Sequence, residues 1–331
     1  MPVSGVHALL ASIWFAIEGL FLILYVVLDG FDLGVGILSL WSAPEDRAPV
    51  LMASLGSVWD ANETWLVVLG GTLFGAFPAA YVLLLQALYG PVTCMLLGFV
   101  LRGVSFEFRS HARAPAVWEW AFGIGSLVVA LSQGLILGGL IQGPILTQAG
   151  PFAWSTPFSW TVALGVAAGY TLLGATYLRL HTGAHTRRQL IPATRRLAFV
   201  VMATAAVITV ATPLVDPWVR SLWFASPGVW YFWAPPVLAL GAFGLLLKTL
   251  PGPSVWAPFG ATLMVFIASF SGLALTLFPY IIPRVLTANA AAADTRTLVF
   301  MLAVVGFFIP IMMAYNIYLY RVFRGRVSGS A

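Results

Sequence analysis

The run Ala8-Leu-Leu-Ala-Ser-Ile-Trp-Phe-Ala-Ile-Glu-Gly-Leu-Phe-Leu-Ile-Leu-Tyr-Val-Val-Leu28 leads straight into Asp29-Gly-Phe-Asp32-Leu-Gly-Val-Gly36. At about 1.5 Å per residue, a helix of this length crosses the roughly 30 Å hydrocarbon core of a bilayer. Only Glu18 interrupts the run, and no basic segment precedes it. The run therefore reads as a retained transmembrane helix, not a cleaved signal peptide. Comparable apolar runs follow near 51–77, 81–101, 117–140, 159–178, 197–215, 229–247, 255–278 and 297–320. Prolines punctuate them at 44 and 49, 78, 115, 144, 151 and 157, 192, 213 and 217, 251 and 253, and 279 and 283.

Composition agrees with that reading. Apolar residues make up 60% of the 331 and charged residues 8%, where a soluble domain carries about 25% charged. The fold class is all-α, a polytopic membrane protein of nine transmembrane helices, with residues 1–331 as a single membrane domain. Helices satisfy their own backbone polar groups, as the bilayer demands. Ala288–Ala293 reads as loop, and no internal repeat stands out. The single cysteine, Cys94, has no intrachain disulfide partner.

Arginine sets the orientation. With the N-terminus outside and the C-terminus cytoplasmic, the inner side holds Arg47, Arg102, Arg109, Arg113, Arg179, Arg187, Arg188, Arg195, Arg196, Lys248, Arg321, Arg324 and Arg326. The outer side holds Arg220, Arg284 and Arg296. These basic residues lie in short loops between spans, which excludes nucleic acid as a partner and leaves the lipid bilayer.

Of the eleven acidic residues, four form two pairs at helical spacing inside or beside apolar runs: Asp29 with Asp32, and Asp60 with Glu63. A carboxylate there is costly unless paired, hydrated or protonated. Such pairs suit the uptake and passage of protons. The plainer alternative is that they cap helix ends or pair with Arg47 and Arg102. Arg102, Glu107 and Arg109 form a second constellation, either an ion-pair network reaching those acids or a positive anchor with a local salt bridge. Glu18, at mid-span, has no evident role. The histidines, His7, His111, His181 and His185, all fall at span ends or in loops. Membrane haems take axial His or Met from within a bundle, so this chain is expected to bind no haem or metal.

The motifs Leu28-Asp-Gly-Phe-Asp-Leu-Gly-Val-Gly-Ile37, Trp59-Asp-Ala-Asn-Glu-Thr-Trp65-Leu66 and Arg102-Gly-Val-Ser-Phe-Glu-Phe-Arg109 resemble those of subunit II of cytochrome bd-type quinol oxidases, the cyanide-insensitive branch included. Leu140-Ile-Gln-Gly143, Gly174-Ala-Thr-Tyr177, Phe278-Pro-Tyr-Ile-Ile-Pro283 and Pro310-Ile-Met-Met-Ala-Tyr-Asn316 extend the resemblance across the chain. It implies two four-helix bundles plus one extra helix, in a bacterial or archaeal cell membrane. It further implies a haem-free subunit beside a subunit I that carries haems b and d, or b only, and oxidises quinol. Some assemblies add a small single-helix subunit. The complex reduces dioxygen to water with protons from the inside, and so generates a proton-motive force without pumping.

Residue by residue, the resemblance puts Asp60 in proton delivery, Asp29 and Asp32 in the first-helix motif, and Trp65 beside an oxygen path. Glu63 stands where some relatives have Gln. A proton-coupled transporter is the competing reading from the acids alone, although the second half of the chain carries almost no intramembrane charge. A purely structural scaffold is a third.

Overall fold

The computed structural model describes residues 5–42, 51–55, 58–148, 150, 152–225 and 229–322. Arg47, Arg324 and Arg326, the breaks at Pro44, Pro49 and Pro151, and the side chain of His185 lie outside what it describes. The helices are α1 (Gly5–Ser39), α2 (Val58–Ala76), α3 (Pro78–Ala87), α4 (Tyr89–Arg109), α5 (Pro115–Ile141), α6 (Pro157–His181), α7 (Ala184–Val215), α8 (Pro217–Phe224), α9 (Val229–Thr249), α10 (Trp256–Leu277), α11 (Ala288–Ala291) and α12 (Thr295–Val322). Among the described residues, eight helices are long and apolar enough to cross a membrane, and the bent pair α2–α3 makes a ninth.

Several boundaries differ from the sequence expectation. The first helix does not stop at Leu28. It runs to Ser39, so Asp29 and Asp32 sit inside it with their side chains fully buried. The second span is helical over 51–55 and Val58–Ala76, in line with the expected start near 51, but the third begins at Tyr89 rather than 81. Pro78 is the cause: it starts a new helix after Phe77 leaves helical geometry (φ −133°, ψ 59°), and the axis turns by 119°. Pro192, expected as a break, lies within α7, as Pro310 lies within α12. The 102–116 and 179–196 loops shrink because α4 reaches Arg109 and α7 starts at Ala184. Ala288–Ala291 is one helical turn, not loop, because the Thr287 hydroxyl caps the Ala290 N–H. Before it, Tyr280–Ile282 and Leu286–Thr287 form a small antiparallel hairpin with no apolar periodicity to announce it.

α1 is the central helix, packed against α2, α5 and α6. Its approach to α6 is backbone to backbone. A Cβ on Gly34 would meet the Tyr170 carbonyl oxygen at 1.8 Å, and one on Gly174 would meet Gly34 C at 2.5 Å. Without lipid-excluding hydrophobic gain, such close van der Waals packing of small residues is what holds membrane helices together. α4 lies on α5, α6 also contacts α7 and α10, and α9 pairs with α10. α12 is the least covered helix, yet it is fastened along its length. His7 Nδ1 is 3.2 Å from Thr295 Oγ1, Trp14 Nε1 donates to Leu298 O at 3.1 Å, and Tyr320 OH donates to Asn62 Oδ1 at 2.9 Å. Asp294 starts α12 by accepting from the N–H groups of Arg296 and Thr297, and hydrogen bonds from Thr297 hold its carboxyl below the usual carboxylate range.

Candidate functional site: a buried arginine among three carboxylates

Helical spacing places Asp29 and Asp32 on one face of α1, while Glu63 comes from α2 and Arg102 from α4. Arg102 Nη1 donates to Asp29 Oδ1 at 2.7 Å and lies 2.9 Å from Glu63 Oε1; Nη2 lies 3.7 Å from Asp32 Oδ2. The side chains of Arg102, Asp29 and Asp32 are 0% exposed and that of Glu63 is 22% exposed. Trp59 sits over the guanidinium, 5.9 Å from Arg102 Cζ, and is itself stacked on Phe106. Such a cation–π contact favours the charged form of the arginine where water is scarce.

A second layer holds the first. Asn62 Nδ2 donates to Asp32 Oδ2 at 2.8 Å and to Leu28 O at 3.2 Å, while its carbonyl accepts from Tyr320. One turn of α1 away, Gln133 of α5 donates through Nε2 to the Tyr25 hydroxyl and accepts from Tyr170 OH at 2.7 Å. This Tyr25–Gln133–Tyr170 bridge ties α1, α5 and α6 together beside the carboxylates. Replacing Gln133 with leucine leaves two buried hydroxyls with fewer partners. The expected cost is about 1–3 kcal/mol, read as a lower denaturation midpoint of the purified protein.

The structure sorts the sequence candidates. It brings Asp29, Asp32, Glu63 and Arg102 into one cluster and leaves Asp60 outside, exposed on the outward face of α2 one turn from Glu63. The expectation that Glu107 joins the network is corrected: Glu107 is exposed and makes no ion pair among the described residues. The phase of α4 points it away from Arg102. Arg109 pairs instead with Glu119 of α5 at 3.0 Å. Trp65 is buried against Phe21, ring centroids 6.0 Å apart. Glu18 is buried beside Thr72, whose hydroxyl donates to Val68 O at 2.8 Å. Sequence reasoning missed Asn62, Glu119, Tyr320 and the Tyr25–Gln133–Tyr170 bridge. Gln133 was the available signal, a lone amide in the middle of an apolar run.

The ionic arithmetic defines what the cluster can do. One guanidinium faces three carboxylates, so two protons bring it to neutrality. No group of three or more metal-ligating side chains with metal-site geometry occurs among the described residues. Unbalanced charge is costly in so buried a place.

An all-α polytopic protein with an ion network sealed inside its first four helices defines a class, the membrane-embedded subunit organised around internal carboxylates. The chain belongs to the cytochrome bd terminal oxidase subunit II family, whose model matches residues 10–323. Cytochrome bd-I ubiquinol oxidase subunit 2 of Escherichia coli (strain K12) is 27% identical, aligned over 97% of this chain and 96% of that protein. Cytochrome bd ubiquinol oxidase subunit 2 of Bacillus subtilis (strain 168) is 28% identical over 97% of this chain and 98% of that one. In the structure of bd oxidase from Geobacillus thermodenitrificans, one chain shares the fold at a TM-score of 0.80 and 19% identity, over 95% of this chain and 98% of that chain. Family membership makes this a multi-pass cell-membrane protein of a terminal oxidase, and the transporter reading is not favoured.

Proposed function

We propose that this chain is the haem-free subunit II of a quinol-oxidising, oxygen-reducing complex, and that it supplies a proton-holding station to a haem-bearing subunit I. The N-terminus lies outside and the Arg102 cluster toward the cytoplasmic side, as the arginine distribution favours. The donor set supports the haem assignment: the described histidine side chains, His7, His111 and His181, sit at or beyond helix ends, away from the span interiors where axial ligands are needed. Haem chemistry and quinol oxidation then fall to subunit I, and this chain's task is proton supply and support.

The observation that carries the reading is the pairing of a sealed cluster with an exposed acid. Asp29, Asp32 and Glu63 hold protons around Arg102, while Asp60, one turn from Glu63, presents a carboxyl on a helix face that continues through Thr64, Val67, Gly71 and Phe74. A bare carboxylate against lipid is unfavourable, so that face suits contact with subunit I. Protons pass from the cluster through Glu63 to Asp60 and across the interface. Trp65 and Phe21 form an apolar wall beside this path, suited to a dioxygen route.

Asp60→Asn tests the proposal. Quinol-dependent oxygen consumption should fall at least about tenfold, which corresponds to roughly 1.4 kcal/mol in barrier, with haem content unchanged. Normal turnover in that variant assigns the chain a scaffold role only. A stoichiometric haem spectrum from this chain purified without subunit I contradicts the haem-free part.

A further inference from the structure

Glu18 stands outside the cluster, yet it shares a face of α1 with two of its members. Tyr25, Asp29 and Asp32 follow it by seven, eleven and fourteen residues, spacings that return a helix to the same side. All four side chains are buried. Neither carboxyl oxygen of Glu18 has a hydrogen-bond partner among the described residues, nor has Asp29 Oδ2. From α2, Trp65 and Thr72, also seven residues apart and buried, meet this stripe. Thr72 lies beside Glu18. The Trp65 ring packs on Phe21, one turn from Glu18 and from Tyr25, and its Nε1 is buried with no partner. The undescribed residues fall at helix ends, so none lies at this depth.

A carboxylate in the bilayer interior is costly, and acids there mark proton routes or pair with a counter-charge. Among the described residues Glu18 meets no cation. It therefore carries its proton, with one oxygen free to accept and one O–H free to donate. Such a group takes a proton on one oxygen, releases the other from the second, and is never left charged. We propose that Glu18 is a mid-membrane proton relay, connected to Asp29 by water held between Tyr25, the Trp65 N–H and Glu18.

The inference rests on the proton-station reading and adds a second exit to it. The rise from Glu18 to Tyr25 is about 10 Å along the helix, too far for a direct bond and suited to a short string of waters. Each such water needs two or more polar partners, and Tyr25, Trp65, Thr72 and Glu18 supply them. A proton arriving from the Asp29 side binds one oxygen of Glu18, the proton on the other leaves toward Thr72, and rotation of the carboxyl resets it. Thr72 is about 13 Å along α2 from Glu63, so this exit lies deeper in the membrane than Asp60. Beside it, Gly71 is exposed and an added Cβ would meet nothing within 4 Å. That bare stretch of backbone lets a proton-accepting group of subunit I come close.

The test uses the assembled oxidase in lipid vesicles. Glu18→Gln keeps the size of the side chain but cannot relay a proton. Quinol-dependent oxygen consumption should fall at least about tenfold, with haem content and unfolding midpoint unchanged, and Glu18→Asp should restore part of the rate. The infrared spectrum supplies a readout independent of turnover. The carbonyl stretch of protonated Glu18, identified by its loss in Glu18→Gln, should shift when the complex is moved into D2O. Trp65→Phe keeps an aromatic ring but removes the N–H, and should slow that shift at least tenfold. Normal turnover in Glu18→Gln overturns the relay, as does a D2O shift in Trp65→Phe as fast as in wild type. A Glu18→Gln protein that loses rate only together with haem or stability assigns the residue to packing and also overturns it. Slow turnover in Asp60→Asn with normal turnover in Glu18→Gln rejects the relay and keeps the station; the opposite pattern supports the relay and removes the Asp60 exit.

Discussion

Replacing Arg102 with glutamine should prevent the chain from accumulating in folded form. The guanidinium touches Asp29 and Glu63 and faces Asp32, with no water-exposed surface of its own. Removing one member of a buried ion pair costs about 3–5 kcal/mol because the other is left as uncompensated buried charge, and here three carboxylates lose their common partner. Against a typical total stability of about 5–15 kcal/mol, that loss is decisive. Arg102→Lys should rescue little, since a single ammonium cannot reproduce contacts made by two separate nitrogens. Adding Asp29→Asn to Arg102→Gln should restore part of the yield, because it removes one of the orphaned charges. Protein level in the membrane and the detergent-solubilised unfolding midpoint report both effects. Wild-type levels of Arg102→Gln would mean that the carboxylates need no cation.

Gly34→Leu is expected to be equally damaging for a different reason. The obstacle at 1.8 Å from its Cβ is the Tyr170 carbonyl oxygen, which belongs to the backbone of α6 and cannot rotate aside. Core overpacking commonly costs about 1–3 kcal/mol when side chains can adjust. A backbone obstacle forces the two helices apart, which also separates Tyr170 from Gln133 and pulls α1 off the face that carries Asp29. Loss of folded protein is expected, and even Gly34→Ala should lower the unfolding midpoint. Gly241→Ala is the matching control: nothing lies within 4 Å of the added carbon, so the midpoint should hold or rise slightly through helix propensity. An undisturbed Gly34→Leu protein would mean that α1 and α6 do not touch at this crossing.

The helical membrane architecture was legible because long apolar runs leave few alternatives in lipid. The acidic pairs were legible too, as charges out of place. What stayed hidden depended on helix phase and on distant partners. Asp60 and Glu63 share a motif and one turn, yet Glu63 meets Arg102 while Asp60 faces outward, and spacing alone does not say which way a pair points. Glu107 and Arg109 lie five and seven residues beyond Arg102 on the same helix, yet helix phase turns Glu107 away and two turns of rise carry Arg109 past the cluster to Glu119. Tyr320 bonds Asn62 across 258 positions of sequence, a pairing no local pattern announces. The bend at Pro78 was read as a simple gap between spans, because a proline marks where a helix ends and not how far the next one turns.

The fastening of α12 bears on how the protein is made. Arg102 and its three carboxylates all emerge within the first third of translation, so with two protons taken up their charges can balance before the later helices enter the membrane. Asn62, by contrast, waits for Tyr320, and Trp14 and His7 wait for the start of the same late helix. A ribosome that stalls before α12 therefore releases an electrically balanced but unlatched intermediate. The cell's quality control has a definite signature to read in it: a donor-seeking asparagine carbonyl and a tryptophan N–H left open in the bilayer.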